Sequence, residues 1–225
     1  YEDLNTNLAE ELRKKKFNKI IFTDLYIRDE KFITKLEKFA DILIIDHHPL
    51  PDWNSKKTTL IKGENGYSAA FLCYYLFSKI KNLEKLDWLV ACTCISDYCH
   101  IKPEKWLSLV FKKYGDKLEY EDNYVRKSGV FWDLQYKLSL ALIYFRENLI
   151  KVYNFLGENF GDIGELNSYV DMVQEDINKV ISEFKRKREK FEGGYFFVIN
   201  PKFPIGSITN NILSENEKDK MFIIA

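Results

Sequence analysis

Apolar positions along the chain fall into two rhythms. Leu4, Leu8 and Leu12 recur every fourth residue and predict a helix over residues 3–16. The run Lys19-Ile20-Ile21-Phe22-Thr23 predicts a short buried strand ending at Asp24. Phe32, Leu36 and Phe39 predict a helix over 29–39, with Asp29 as its N-cap. Residues 41–45 predict a second buried strand ending at Asp46. Strand, helix and strand in this order form a βαβ unit, which calls for parallel strands and a right-handed crossover. Strands this uniformly apolar fit a sheet covered by helices on both faces.

From Gly66 onward helical periods dominate, over 66–81, 84–96, 103–114 and 129–156. Another helix is predicted over 165–191, its apolar face carried by Leu166, Val170, Val173, Ile177, Val180, Phe184 and Phe191. At its full length it would span roughly 40 Å, enough to connect two domains. Its end, Glu183-Phe-Lys-Arg-Lys-Arg-Glu-Lys-Phe191, is basic: a solvated face, or a contact for a phosphate backbone. Gly193-Gly194 would stop this helix. A strand (195–200), a helix (206–215) and a strand (221–225) then open a second α/β unit. The expectation is therefore an α/β protein: a parallel-sheet domain over 1–160, a connecting helix over 161–192, and the beginning of a second domain over 193–225.

Composition narrows the function classes. Hydrophobic residues make up 46% of the 225, enough for a sizeable core. Lys plus Arg and Asp plus Glu are 34 each, so no global basic surface advertises nucleic acid, and only a local groove remains available for it. No stretch reads as a membrane span, and the first residues do not read as a signal peptide. Cys73, Cys92, Cys94 and Cys99 read as reduced, semi-buried thiols on helix-like segments of a cytoplasmic protein. Cys92, Cys94, Cys99 and His100 match no familiar zinc spacing.

Two of the three histidines stand together in Asp46-His47-His48-Pro49, directly after a strand. Asp24 follows the neighbouring strand. Ligands of open α/β sheets sit beyond the carboxyl ends of their strands. A lone Asp there is most often a turn former. Three such groups together are costly to desolvate unless something binds them. Carboxylate oxygen and imidazole nitrogen suit Mn²⁺ or a similar divalent ion, and the expected absence of cysteine from this cluster disfavours structural zinc.

Residues 44–49, Ile-Ile-Asp-His-His-Pro, resemble the signature of the DHH phosphoesterase superfamily, which includes the RecJ-type exonucleases. Ile20–Ile27 resemble the family's preceding strand, Gly63–Phe77 its Ser-led helix, and Leu89–Cys99 the helix that ends in a further ligand Asp. The overall resemblance is to archaeal RecJ-like proteins. It implies a two-metal phosphodiester hydrolase using Mn²⁺, or alternatively Mg²⁺. Asp24 would bridge two ions about 3.5–4 Å apart, His47 would ligate one and Asp97 the other. Asp46 would orient His47, and His48 would lie near the scissile phosphate or complete the metal shell. Ser68 would face a phosphate or simply cap its helix. No family motif claims His100.

Two family features have no counterpart here. The D-x-D strand that completes both metal sites is absent before Asp24, where Glu2-Asp3 stands on a helix-like segment. The substrate-holding motif of the C-terminal domain is also absent. Both gaps fall at the termini, so truncation is the expectation, with weak activity for the chain alone. The expected substrate is single-stranded DNA or RNA. The alternatives are a phosphodiesterase for oligoribonucleotides or cyclic dinucleotides, and a scaffold for replication or repair proteins. No membrane partner is expected. Among the 16% aromatic residues, Phe131–Tyr136 are the best local candidates for stacking on bases, although helix packing is the favoured reading for Phe131 and Trp132.

Overall fold

The computed structural model describes residues 4, 6–63, 66–157 and 159–225. Glu2-Asp3 and the predicted helix start at residue 3 lie outside the described residues. The chain divides into two compact units, 1–133 and 134–225.

The first unit opens with α1 (Thr6–Lys14), β1 (Lys19–Thr23), α2 (Glu30–Glu37) and β2 (Asp41–Asp46). Asp29 caps α2 as expected, its side chain accepting from the Lys31 N–H. β1 and β2 are parallel, with Ile20 opposite Ile42 and Thr23 opposite Ile45. Ile20, Phe22, Ile42 and Ile44 share one face of the sheet. They pack with Ala9 of α1 and with Phe32, Ile33 and Leu36 of α2. Fully buried side chains such as Phe32 and Leu36 are each worth about 1.5–3 kcal/mol relative to exposure. On the opposite face Ile45 is buried and α3 (Ala69–Phe77) packs against β2, but Ile21 is 55% exposed. The second face is thus open around β1.

A third parallel strand, β3 (Thr58–Lys62), pairs with β2 and was not expected. Its Thr-Thr start conceals the pattern, yet Thr58, Thr59 and Ile61 are β-branched and suit a pleated surface. The unit continues through α4 (Asp87–Ser96) and α5 (Glu104–Lys113). A small hairpin, β4 (Tyr120–Glu121) and β5 (Tyr124–Val125), follows. Asp122 and Asn123 turn it with φ of 51° and 66°, both in the left-handed region that short polar side chains tolerate.

The helix expected over 129–156 is two helices, α6 (Val130–Tyr144) and α7 (Ile150–Phe155). The Asn148 N–H bonds the Phe145 carbonyl at 2.7 Å, a tighter turn that interrupts the helical ladder. No Gly or Pro marks the break.

Helix α8 (Asn167–Lys187) stops before the predicted residue 191, because Glu189–Phe191 form β6, antiparallel to β7 (Gly194–Phe197). Gly193, at φ 86°, turns that hairpin instead of ending a helix. α8 also lies inside the second unit. Phe184 meets Tyr195, Phe197 and Phe222 there. β7, α9 (Gly206–Asn216) and β8 (Met221–Ile224) complete the expected second βαβ unit, with β7 and β8 parallel. Among the described residues no helix is long and apolar enough to cross a membrane.

Candidate metal centre

Parallel strands end together, so the residues that follow them meet at one edge of the sheet. Asp46 is the last residue of β2, and the Asp24 N–H bonds the Ile45 carbonyl at 3.1 Å. The α4 C-terminus brings Asp97 to the same place. Asp24, Asp46, His47 and His48 form one potential ligand group, and His47, Asp97 and Cys99 a second that shares His47.

Asp46 is fully buried. Its Oδ2 accepts the N–H groups of Leu25 (3.1 Å) and Tyr26 (2.9 Å). Its Oδ1 accepts those of His47 (2.7 Å) and His48 (2.9 Å), and lies 2.7 Å from His48 Nδ1. One carboxylate thus ties the loop after β1 to the loop after β2. Burial pushes its acidity down, but the N–H donors and the His48 ring outweigh that and hold its pKa below the ordinary carboxylate value. An ionised carboxylate only accepts, so His48 Nδ1 carries a proton and its Nε2 is left for other chemistry. Asp46 therefore orients His48, not His47 as expected.

His47 is held differently. Its Nε2 lies 3.3 Å from Asp24 Oδ1 and 3.5 Å from Asp97 Oδ2. That nitrogen is buried and has no hydrogen-bond partner. Its Nδ1 lies 3.7 Å from Cys99 Sγ. The Cys99 thiol also hydrogen-bonds Asp97, so the sulfur can accept from Nδ1–H. This arrangement aims the Nε2 lone pair between two carboxylates, which a cation between them would satisfy. These donors suit divalent ions, with Asp24 and His47 in one ligand group and His47 and Asp97 in the other.

Cys99 was missed by sequence reasoning and reverses the expectation that the cluster lacks cysteine. It sits in the turn after α4 rather than on the helix, beyond Tyr98, whose φ is 53°. Burial and the neighbouring Asp97 push its thiol up to about 12, so it stands as a protonated thiol. Burial, with Asp24 nearby, also raises the Asp97 pKa, against the pull of His47. The side of the cluster towards solvent is acidic: the Asp24 side chain is 53% exposed and that of Asp97 38%.

Ser68 is nearly fully buried and caps α3, its hydroxyl accepting from the Phe71 N–H at 3.2 Å. Its Oγ also lies 3.5 Å from Cys94 Sγ. The hydroxyl is committed to these contacts. His100 is buried away from both ligand groups, with Nε2 on the Asn123 carbonyl of the hairpin turn at 3.1 Å. All four cysteines are free thiols, and Cys92, Cys94 and His100 join no ligand group among the described residues. Phe131 is core, stacked on Phe111 at 4.2 Å, and Trp132 is half-buried beside Lys127. No family model matches the chain, and no curated protein matches it.

Proposed function

We propose that the protein is a divalent-metal-dependent phosphodiester hydrolase of the DHH superfamily, RecJ-like, acting on single-stranded DNA or RNA. The observation that carries this reading is the buried, unpartnered His47 Nε2, set between the carboxylates of Asp24 and Asp97. Mn²⁺ is the ion proposed, with Mg²⁺ as the alternative, since both take mixed or pure oxygen donor sets. When bound, such an ion supplies Lewis acidity towards phosphoryl oxygens and an acidified water.

The chain's own groups do the rest. Asp24, His47 and Asp97 hold the charge that draws the ion. Asp46, saturated by five donors, fixes both loops so that these ligands keep their spacing. His48, with Nδ1 protonated on Asp46, presents Nε2 as a group that can hold or release a proton near a phosphate oxygen. Exposure at Asp24 and Asp97 leaves room for a polymer strand to approach.

The test is to incubate the protein with 5′-labelled single-stranded DNA and RNA, with Mn²⁺ or EDTA, beside His47→Ala. Mn²⁺-dependent laddering that His47→Ala abolishes is the expected result. It would also show polarity and sugar preference. An uncut polymer in every lane would sink the exonuclease reading.

A further inference from the structure

A line of rings leads outward from the cluster to a cation. His47 and His48 meet edge to face, their centroids 4.5 Å apart. Tyr26 lies 5.2 Å from His48, and the Arg28 guanidinium carbon sits 5.2 Å from the centroid of Tyr26. Arg28 is exposed, and among the described residues no carboxylate pairs with it.

The backbone holds this line in place. Asp24 and Tyr26 both have left-handed backbones, φ 58° and 46°. Such a conformation costs a non-glycine residue of order 1–2 kcal/mol, and it persists where the surroundings enforce it. Here the enforcing contacts are the two bonds from Leu25 and Tyr26 N–H to Asp46 Oδ2. The same carboxylate that orders the histidines thus sets the direction of the Tyr26 ring.

A guanidinium resting on an aromatic ring loses side-chain freedom before any ligand arrives, and its N–H donors remain available. Planar N–H pairs match phosphate oxygens in bidentate fashion. Arg28 meets the Tyr26 ring and Tyr26 meets His48, so the guanidinium is one ring removed from the cluster's histidines. That separation suits the next phosphate along a chain.

We propose that Arg28, held over Tyr26, binds the phosphate adjacent to the one being cut. The site then selects substrates with two or more phosphates in a chain over an isolated phosphodiester. This inference rests on the phosphodiesterase reading above.

The experiment compares the 225-residue protein with Arg28→Ala and Arg28→Lys. Two Mn²⁺-dependent rates are read: on a 5′-phosphorylated oligothymidylate and on bis(p-nitrophenyl) phosphate, which has a single phosphate. The ratio of kcat/KM between the two should fall about tenfold in Arg28→Ala, mainly through KM, with partial rescue by Lys. Binding of the fluorescein-labelled oligonucleotide with Ca²⁺ in place of Mn²⁺ is followed by anisotropy. Its salt slope should drop by about one in Arg28→Ala. An unchanged ratio, whether both rates fall together or neither does, overturns the proposal. If the wild type cuts neither substrate, the hydrolase reading fails and anisotropy alone decides Arg28. Weaker binding with a smaller slope then supports the proposal; equal binding, or none by the wild type, overturns it.

Discussion

β1–α2–β2 in the first unit and β7–α9–β8 in the second use the same topology, a strand, a helix and a parallel neighbour. Both also anchor the loop after the first strand in the same way. In the first, Asp46 Oδ2 accepts the N–H groups of Leu25 and Tyr26; in the second, Asp176 Oδ2 accepts those of Lys202 (2.8 Å) and Phe203 (3.0 Å). The difference lies in what surrounds the anchor. Asp46 stands at a strand end beside two histidines and two further carboxylates. Asp176 stands on a helix, and among the described residues it belongs to no ligand group. A carboxylate that pins a loop is a general structural device, and only the side chains around it turn one copy into a site.

The largest effect should come from removing the chemistry while leaving the frame. Asp24→Asn keeps a side chain that tolerates the left-handed backbone and removes a charge facing His47. Mn²⁺-dependent hydrolysis in single-turnover assays should fall by at least about 10²-fold, with a thermal melt close to that of the wild type. A matching collapse of the melt would mean that Asp24 is structural.

Next come the two anchors. Asp46→Asn and Asp176→Asn should each cost about 2 kcal/mol in urea melts, since each leaves buried N–H groups poorly paired. Only Asp46→Asn should weaken Mn²⁺ binding measured by calorimetry. Equal losses of affinity would erase the contrast between the units. The acid limb of stability gives a further check on Asp46. Asp46 has a folded pKa below its ordinary 3.8, so its contribution is complete above that value and is lost as pH falls through the depressed one. The wild type should therefore lose more stability than Asp46→Asn as the pH falls below 3.8.

A smaller effect is expected at Cys99. Cys99→Val removes the contact on His47 Nδ1 and should weaken Mn²⁺ binding about tenfold, with Cys99→Ser closer to wild type. Equal affinity in all three proteins would leave the thiol a packing group. The smallest change is Ser68→Ala, which removes a helix cap worth about 1 kcal/mol. Loss of turnover beyond what that instability explains would return Ser68 to the substrate.

Much of the frame was legible because it is local. Period and run length place β1, α2 and β2 nearly to the residue, and with them Asp24 and Asp46 at one sheet edge. β3 was hidden because Thr58 and Thr59 give a strand without an apolar run. The break between α6 and α7 was hidden because ordinary residues tighten the turn there. The candidate centre was legible where its residues follow strands. Cys99 was not, because its contact with His47 joins positions 52 apart and depends on the turn at Tyr98. Nor could adjacency in sequence say which imidazole Asp46 holds. The ring it reaches is that of His48, two residues on, while His47 turns towards Asp24 and Asp97.

β1 has β2 on one side and, among the described residues, no strand on the other. Its rim offers backbone donors and acceptors to any extended segment, beside the exposed side chain of Ile21. Lys19, the one charge on β1, stands at the start of the strand, and Lys57, before β3 at the far edge, is paired with Asp41 at 3.3 Å. The open edge is therefore guarded at one end only, and a second extended chain pairing along it would meet no charge from Ile20 to Thr23.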